Sequence, residues 1–152
     1  MITIVKSNAQ HSHFVELVKQ LDAELAIRDG AEHDFYNQFN SIGNIQYAIV
    51  AYDNNVPVGC GAIKAYNATI MEVKRMYTIP ACRGKAVAST VLKALENWAT
   101  EMEYEKCILE TGKKQPEAIA LYMKSGYQQI PNYGQYAGVA NSVCFEKVLR
   151  VI

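Results

Sequence analysis

The first third of the chain switches from strand spacing to helix spacing. Residues 2–5 form a β-branched run that is typical of a strand. From residue 13 to 27, apolar side chains recur every three or four positions, which predicts an amphipathic helix that ends at Gly30. A second, shorter helix is predicted over 31–40, where three aromatic residues share one face. The chain therefore opens with a strand and two helices.

Three strand-like runs follow, at 45–52, 56–66 and 69–78. Short polar segments separate them, and the first, at 53–55, is Asp-Asn-Asn. Asn and Asp side chains hydrogen-bond locally and tolerate left-handed backbone, so they favour tight turns. The spacing predicts an antiparallel meander of three strands.

The second half of the chain begins with helical spacing. We predict a long amphipathic helix over 86–101, a short buried strand over 106–110 and a further helix over 116–125. A loop rich in Gly, Asn, Pro and Tyr (131–141) precedes a last strand over 142–149. This order of elements predicts an α/β (mixed α+β) fold.

Composition and charge limit the possible partners. The 152 residues are 50% hydrophobic and 20% charged, which suits a single domain spanning 1–152. The formal net charge is zero, so we expect neither nucleic acid nor an anionic membrane as a partner. No segment has the roughly 20 apolar residues of a membrane span, and the N-terminus lacks the pattern of a secretion signal. We therefore expect a cytoplasmic protein, either a monomer or a homodimer.

The four cysteines give no sign of a metal site or a disulfide framework. Cys60, Cys82, Cys107 and Cys144 are scattered, without a CxxC pair and without the spacing of a zinc ligand set. We expect them to be reduced and structural, and we expect no metal.

The most informative segment joins the third meander strand to the long helix. The strand stops at Pro80, and a tight turn with Arg83 and Gly84 leads into the helix. A helix N-terminus has unpaired N–H groups and a favourable dipole for anions. Lys85 adds positive charge, and small residues leave space for a polyphosphate. The turn fits a phosphate site, although an ordinary strand–turn–helix with a basic cap explains the same residues.

Three motifs, in order, resemble the GNAT acetyltransferase family. Residues 83–88 (Arg-Gly-Lys-Ala-Val-Ala) resemble its acyl-CoA signature, Q/R-x-x-G-x-G/A. Leu109-Glu-Thr follows, and residues 117–127 look like its A-x-x-L-Y-x-K-x-G-F/Y segment. Ala86 departs from the signature, where glycine is usual. Alanine is tolerable there if the residue is already helical, but it leaves less room near the pyrophosphate.

The resemblance implies a mostly antiparallel mixed sheet, flanked by helices, in which two parallel strands (69–78 and 106–110) splay apart. It implies that acetyl-CoA donates an acetyl group to a primary amine in a ternary complex, most simply the amine of a small metabolite such as an amino acid. The pantetheine arm would lie on the first splayed strand and the pyrophosphate on the turn. The cofactor-binding residues implied are Met76, Tyr77, Thr78, Arg83, Gly84, Lys85, Ala86, Val87, Ala88, Ser89 and Gln115.

Two residues match catalytic positions of the family. Tyr122 matches a tyrosine near the coenzyme sulfur that can protonate the leaving thiolate, although a packing role explains it too. Glu72 lies four residues before Met76, where some members carry a glutamate as general base. A structural, paired carboxylate explains Glu72 equally well, and Glu110 is a competing base.

Strand alternation in the same segment predicts which side chains share a face. It places Glu72, Lys74, Met76 and Thr78 on one face, and it places Arg75 and Tyr77 on the other.

The acceptor site is less well specified by the sequence. Arg28 or Arg75 could clamp a substrate carboxylate bidentately, and tyrosines supply rigid walls with a polar tip. The candidate acceptor residues are Arg28, His33, Tyr36, Arg75, Glu110, Tyr133 and Tyr136. Two alternatives stay open: acetylation of a protein N-terminus or lysine, and a non-catalytic acyl-CoA-binding regulatory module.

Overall fold

Within residues 1–30 and 45–149, which the computed structural model describes, the chain forms seven strands and three α-helices. The helix predicted over 31–40, with His33 and Tyr36, lies outside these residues. The elements are β1 (Ile2–Ser7), α1 (Ser12–Asp29), β2 (Tyr47–Asp53), β3 (Val56–Ala65), β4 (Ile70–Thr78), α2 (Val87–Glu101), β5 (Lys106–Gly112), α3 (Pro116–Lys124), β6 (Gln128–Ile130) and β7 (Ser142–Val148).

The strands form one mixed sheet in the order β1-β2-β3-β4-β5-β7-β6. Strands β1 to β4 are antiparallel neighbours, as the meander prediction requires. Strands β4 and β5 are parallel, whereas β5, β7 and β6 pair antiparallel. The α/β fold class and the mostly antiparallel mixed sheet are confirmed. The sequence analysis missed β6, because three residues are too few to show a period.

Both faces of the sheet are covered by helices. The apolar stripe of α1, which includes Phe14 and Leu17, packs on one face. The stripe of α2, which includes Val91 and Leu95, packs on the other. These stripes have the three-to-four spacing that predicted the helices, because only that spacing puts apolar side chains on one side. Three of the four free cysteines are buried, which agrees with a structural role.

Side chains of α2 approach the backbone of β3 closely at Gly61, and this contact positions α2. A Cβ atom at Gly61 would lie 2.6 Å from Met76 Sδ and 2.9 Å from Leu95 Cδ1. No side chain fits there, so α2 packs against the backbone of β3. The N-terminus of α2 is thereby held close to the end of β4.

A β-bulge interrupts β4 at Arg75. Ala62 pairs with Lys74 and Cys60 pairs with Tyr77, so that two residues of β4 face Gly61 alone. Arg75 has φ +58°, the left-handed conformation that non-glycine residues rarely adopt. The bulge changes which residues share a face.

The predicted alternation along β4 is wrong beyond Lys74. Met76 and Thr78 point toward α2, next to Gly61 and Gly59 of β3 respectively. Glu72 lies between Met71 and Val73, which pack on the α2 side, and therefore faces α1. Glu72 and Lys74 thus share the α1 face with Arg75 and Tyr77, because the extra residue of the bulge shifts the alternation by one.

The α2 side of the core contains a buried charge. Glu96 of α2 is only 3% exposed, and it accepts hydrogen bonds from Tyr127 Oη (3.0 Å) and Lys147 Nζ (2.9 Å). The Tyr127 ring packs edge-on against Tyr122, with 5.8 Å between ring centroids. The Glu96 carboxylate therefore ties α2 to β7 and to the segment that follows α3.

We predict that Glu96→Ala lowers the free energy of unfolding by about 2–4 kcal/mol, because it leaves a mostly buried ammonium and a buried phenol without their acceptor. Glu101→Ala is the matched control on the same helix, since Glu101 pairs with Lys6 in an exposed bridge (3.1 Å). We expect that control to lose less than about 1 kcal/mol. Urea unfolding measures both, and equal losses would contradict the role given to Glu96.

Candidate active site

A cavity of about 650 Å³ lies where β4 and β5 separate. The two strands pair only at three positions, the last being Glu72 with Ile108. Beyond Glu72, β4 and β5 diverge, and residues 72–78 and 110–112 line opposite sides of the gap. The prediction that these parallel strands splay apart is confirmed.

The turn before α2 leaves backbone N–H groups at the cavity. Gly84 and Ala86 have φ +81° and +65°, and no side chain caps the start of α2. The first N–H groups of an uncapped helix have no intrahelical acceptor and favour an anion. The turn therefore has the backbone geometry of a polyphosphate site.

Ala86 does not have the helical conformation in which alanine is tolerated without strain. It is the left-handed residue that precedes the helix, and it is not itself helical. Its carbonyl accepts hydrogen bonds from Ser89 Oγ (3.1 Å) and Thr90 Oγ1 (2.6 Å), which close the first turn of α2. Alanine at this position therefore carries backbone strain that glycine does not.

Arg83 is bound to the protein itself. Its Nε donates to the Thr78 carbonyl (3.0 Å), one terminal nitrogen pairs with Glu24 Oε2 (2.9 Å), and its guanidinium lies over the Tyr77 ring. The hydrogen bond to Glu24 is the main reason that the pKa of Arg83 is raised. Arg83 thus fastens the turn to β4 and to α1.

Tyr122 reaches the cavity from α3. It is 6% exposed, and its ring packs against Tyr127 and Phe145. Burial raises the pKa of this phenol well above its ordinary value, and the charge of Glu110 raises it further. Tyr122 therefore keeps its proton at neutral pH.

Glu72 is both paired and at the cavity wall. Its Oε2 accepts a 2.6 Å hydrogen bond from Tyr133 Oη, and its Oε1 lies 3.7 Å from Lys74 Nζ. The two readings left open by the sequence therefore do not exclude each other. Glu110 lines the same cavity and accepts a 2.7 Å hydrogen bond from Ser142 Oγ.

The comparisons with known proteins agree with this geometry. The model of the Acetyltransferase (GNAT) family matches residues 15–127. The chain belongs to the GNAT acetyltransferase family. A relative from Azospirillum brasilense, named IAA acetyltransferase, is 30% identical over 151 residues, which cover 97% of this chain and 98% of the relative.

Solved structures of GNAT proteins have the same fold. A Klebsiella pneumoniae protein described as an acyl-CoA N-acyltransferase superposes with a TM-score of 0.83 and 31% identity, over 99% of both chains. A GNAT acetyltransferase from Elizabethkingia anophelis, solved with acetyl-CoA bound, gives a TM-score of 0.70 at 17% identity over 97% of both chains. This GNAT chain is thus an acyltransferase of a family that uses acetyl-CoA and acts on amines.

Most of the sequence-predicted cofactor residues of this acetyltransferase lie around one cavity. Lys85 is exposed and is not part of the lining, and Arg83 is engaged as described above. The Thr78 hydroxyl is buried without a hydrogen-bond partner. The predicted cofactor residues that line the cavity are Met76, Tyr77, Thr78, Arg83, Gly84, Ala86, Val87, Ala88, Ser89 and Gln115.

The two arginines expected to clamp a substrate carboxylate are already paired. Arg75 donates to Asp22 of α1 at 2.7 Å. Arg28 forms ion pairs with Glu24 and with Glu117 of α3. Each guanidinium therefore meets a carboxylate of the protein, and a substrate carboxylate would compete with it.

Tyr136 lies in the cavity wall at the same end as Glu72 and Glu110. Its ring packs at 90° to that of Tyr133. Burial, and then the charges of Glu110 and Glu72, raise the pKa of Tyr136. Both carboxylates are therefore close to this phenol, although Tyr133 itself is not part of the cavity lining.

Sequence reasoning missed the acidic partners of these cations. Asp22, Glu24 and Glu117 bind arginines from other elements, and nothing in a single sequence marks such distant pairs. The one available signal, which the sequence analysis did not use, is the spacing of Glu24 and Arg28, four residues apart in a helix. Within the described parts of the chain, no three His, Cys, Asp or Glu side chains are grouped to hold a metal ion. Nor does any helix there have the length and apolarity needed to cross a membrane.

We predict that Ala86→Gly raises the free energy of unfolding by about 0.5–1 kcal/mol, because glycine removes the left-handed strain at φ +65°. Ala88→Gly is the matched control inside α2, and we expect it to lower stability by up to about 1 kcal/mol. Urea unfolding measures both changes. A loss of stability in Ala86→Gly would show that the turn does not hold this residue under strain.

Proposed function

We propose that this GNAT chain transfers the acetyl group of acetyl-CoA to the primary amine of a small polar metabolite, by direct attack in a ternary complex. The observation that carries the proposal is the cavity itself. It extends from the uncapped N-terminus of α2, along the splayed edge of β4, to Tyr122 and Glu72. The cavity thus begins with backbone N–H groups suited to the pyrophosphate and continues along a strand edge suited to the pantetheine arm. It ends at two side chains that can exchange protons with the reacting groups.

The donor half of the proposal rests on backbone groups. We expect the pyrophosphate to accept hydrogen bonds from the N–H groups of 84–89. The pantetheine arm would lie along 76–78, where β4 no longer pairs with β5. Gln115 at the start of α3 supplies a further polar contact. Arg83 acts through the shape of the turn, because its guanidinium is already bonded to Glu24.

The reaction requires three proton transfers. Glu72, directly or through water, accepts a proton from the ammonium, so that the neutral nitrogen can attack the thioester carbon. As the carbon–sulfur bond breaks, Tyr122 donates its proton to the departing sulfur. The second proton lost by nitrogen returns to Tyr122 through solvent. Lys74 stabilises the negative charge of Glu72 at 3.7 Å.

The residues at the acceptor end of the cavity favour a cationic amine as the substrate. Two carboxylates, Glu72 and Glu110, line the part of the cavity near Tyr136. An amino acid remains within the proposal, but the ion pairs of Arg28 and Arg75 make an amine without a carboxylate the better fit. Binding of an α-carboxylate would break one of those pairs.

A panel of matched acceptors tests the proposal. Lysine with cadaverine, arginine with agmatine and tyrosine with tyramine differ by a carboxylate alone, and basic peptides serve as the protein-like acceptors. We expect acetyl-CoA-dependent thiol release with the small amines, and a higher kcat/KM for the decarboxylated member of each pair. Faster acetylation of peptides would favour a protein substrate. Acetyl-CoA binding in calorimetry, without turnover of any acceptor, would favour a regulatory module.

We predict that Tyr122→Phe lowers kcat by about 10- to 100-fold while leaving acetyl-CoA affinity unchanged, because the variant lacks the proton for the leaving sulfur and keeps the backbone contacts. The raised pKa of Tyr122 keeps the wild-type phenol protonated up to pH 9, so this group causes no alkaline loss of rate over pH 7–9. Steady-state thiol release and calorimetry make these measurements. Tyr47→Phe is the control, since Tyr47 packs on Trp98 outside the cavity lining. Equal rates for Tyr122→Phe and wild type over pH 7–9 would reject Tyr122 as the acid.

A further inference from the structure

The hydrogen bond between Tyr133 and Glu72 joins two distant parts of the chain. Tyr133 lies between β6 and β7, and it is 61 positions from Glu72 in β4. The distance of 2.6 Å between its Oη and Glu72 Oε2 is short, as is typical of a hydroxyl that donates to an ionised carboxylate. This is the shorter of the two polar contacts of Glu72 described above.

Tyr133 is held firmly enough to fix its partner. Its ring packs edge-on against Tyr66 and Tyr136, with centroid distances of 5.4 and 5.8 Å. Its carbonyl accepts from the Tyr136 N–H (2.9 Å). The neighbouring Asn132 donates to the carbonyls of Val139 and Ser142, at 3.0 and 3.1 Å, and so closes the loop. The hydroxyl of Tyr133 therefore has a defined position before any substrate binds.

Glu72 lies where β4 leaves β5, at the edge of the cavity. Glu72 is the last residue of β4 that pairs with β5, and its side chain lies on the α1 face of the sheet. Without an anchor, a glutamate side chain at the edge of a cavity has several rotamers. Tyr133 binds one oxygen, and the other lies near Lys74. The carboxylate is thus held from two sides at the cavity wall.

We propose that Tyr133 is a positioning residue for the transfer reaction: its hydroxyl orients the Glu72 carboxylate toward the cavity. This inference rests on the proposed function, in which Glu72 accepts the proton of the amine. A carboxylate held in one orientation meets the amine in a productive geometry more often than one that changes rotamer.

Other charged and titratable groups also lie near Glu72. They come from every strand and loop packed around it, and the experiment leaves them unchanged. They are Lys74 on β4, Lys64 opposite it on β3, Glu110 on β5, Cys144 on β7 and Tyr136 in the loop. Burial and the charge of Glu72 both raise the pKa of Tyr133, so its hydroxyl keeps its proton to donate at every working pH.

We predict that Tyr133→Phe lowers kcat/KM for the amine about tenfold, because the carboxylate that accepts the proton of the amine loses its fixed orientation. The KM for acetyl-CoA stays within about twofold of wild type, because the turn and β4 are unchanged. The measurement is steady-state thiol release at pH 5–9, with the best acceptor of the amine panel. Tyr66→Phe is the matched control: it is another tyrosine of the same ring cluster, and we expect the wild-type kcat/KM.

A double-mutant cycle separates positioning from a general effect on folding. If Tyr133 acts through Glu72, then Tyr133→Phe in a Glu72→Gln background causes little further loss of rate. Wild-type kcat/KM in Tyr133→Phe, together with a large loss in Glu72→Gln, would overturn the inference and leave the proposed function standing. Additive losses in the cycle would overturn it as well. Full activity in Glu72→Gln would instead remove Glu72 as the base, and the role of Tyr133 with it.

Discussion

The β-bulge at Arg75 is the constraint on which the site depends. A left-handed arginine costs about 1–2 kcal/mol, and the 2.7 Å bond from its guanidinium to Asp22 helps to hold it. The bulge turns β4 away from β5 after Glu72, so backbone that would otherwise complete the sheet faces a cavity. It also moves Met76 to the α2 face while Glu72 stays on the α1 face. One inserted residue thus creates both the opening and its distribution of side chains.

This bulge also marks the limit of what the sequence predicts. Periodicity identified the meander, α1, α2 and α3, because each buries an apolar face with a regular repeat. The motif around Arg83 and Gly84 located the uncapped turn before α2 for the same reason: local backbone geometry depends on local residues. Periodicity could not reveal a change of face at Arg75, since an arginine has no special preference for left-handed backbone. The hydrogen bond from Tyr133 to Glu72 depends on two segments that only the tertiary structure brings together.

Under the proposed function, ion pairing explains why backbone N–H groups, rather than the arginines, bind the phosphates. Glu24 of α1 contacts Arg83 at the turn and Arg28 on its own helix, and Arg28 also meets Glu117 of α3. The network links three elements around the cavity mouth and occupies both guanidinium groups. The uncapped N–H groups of α2 need no such neutralisation, because a dipole has no net charge to balance. The same cations can therefore stabilise the shape of the cleft while the helix provides the anion site.

Under the proposed function, Glu72 and Glu96 give one residue type two purposes in this fold. Both carboxylates are less than one-tenth exposed, and each accepts a hydrogen bond from a tyrosine and lies near a lysine. Glu96 binds Lys147 directly at 2.9 Å inside the core, where a firm pair has structural value. Glu72 lies 3.7 Å from Lys74 at a cavity wall, which is a weaker contact. Under the proposed function, this difference in pairing distance and in access to the cavity, rather than in residue type, suits Glu72 to proton transfer and Glu96 to stability.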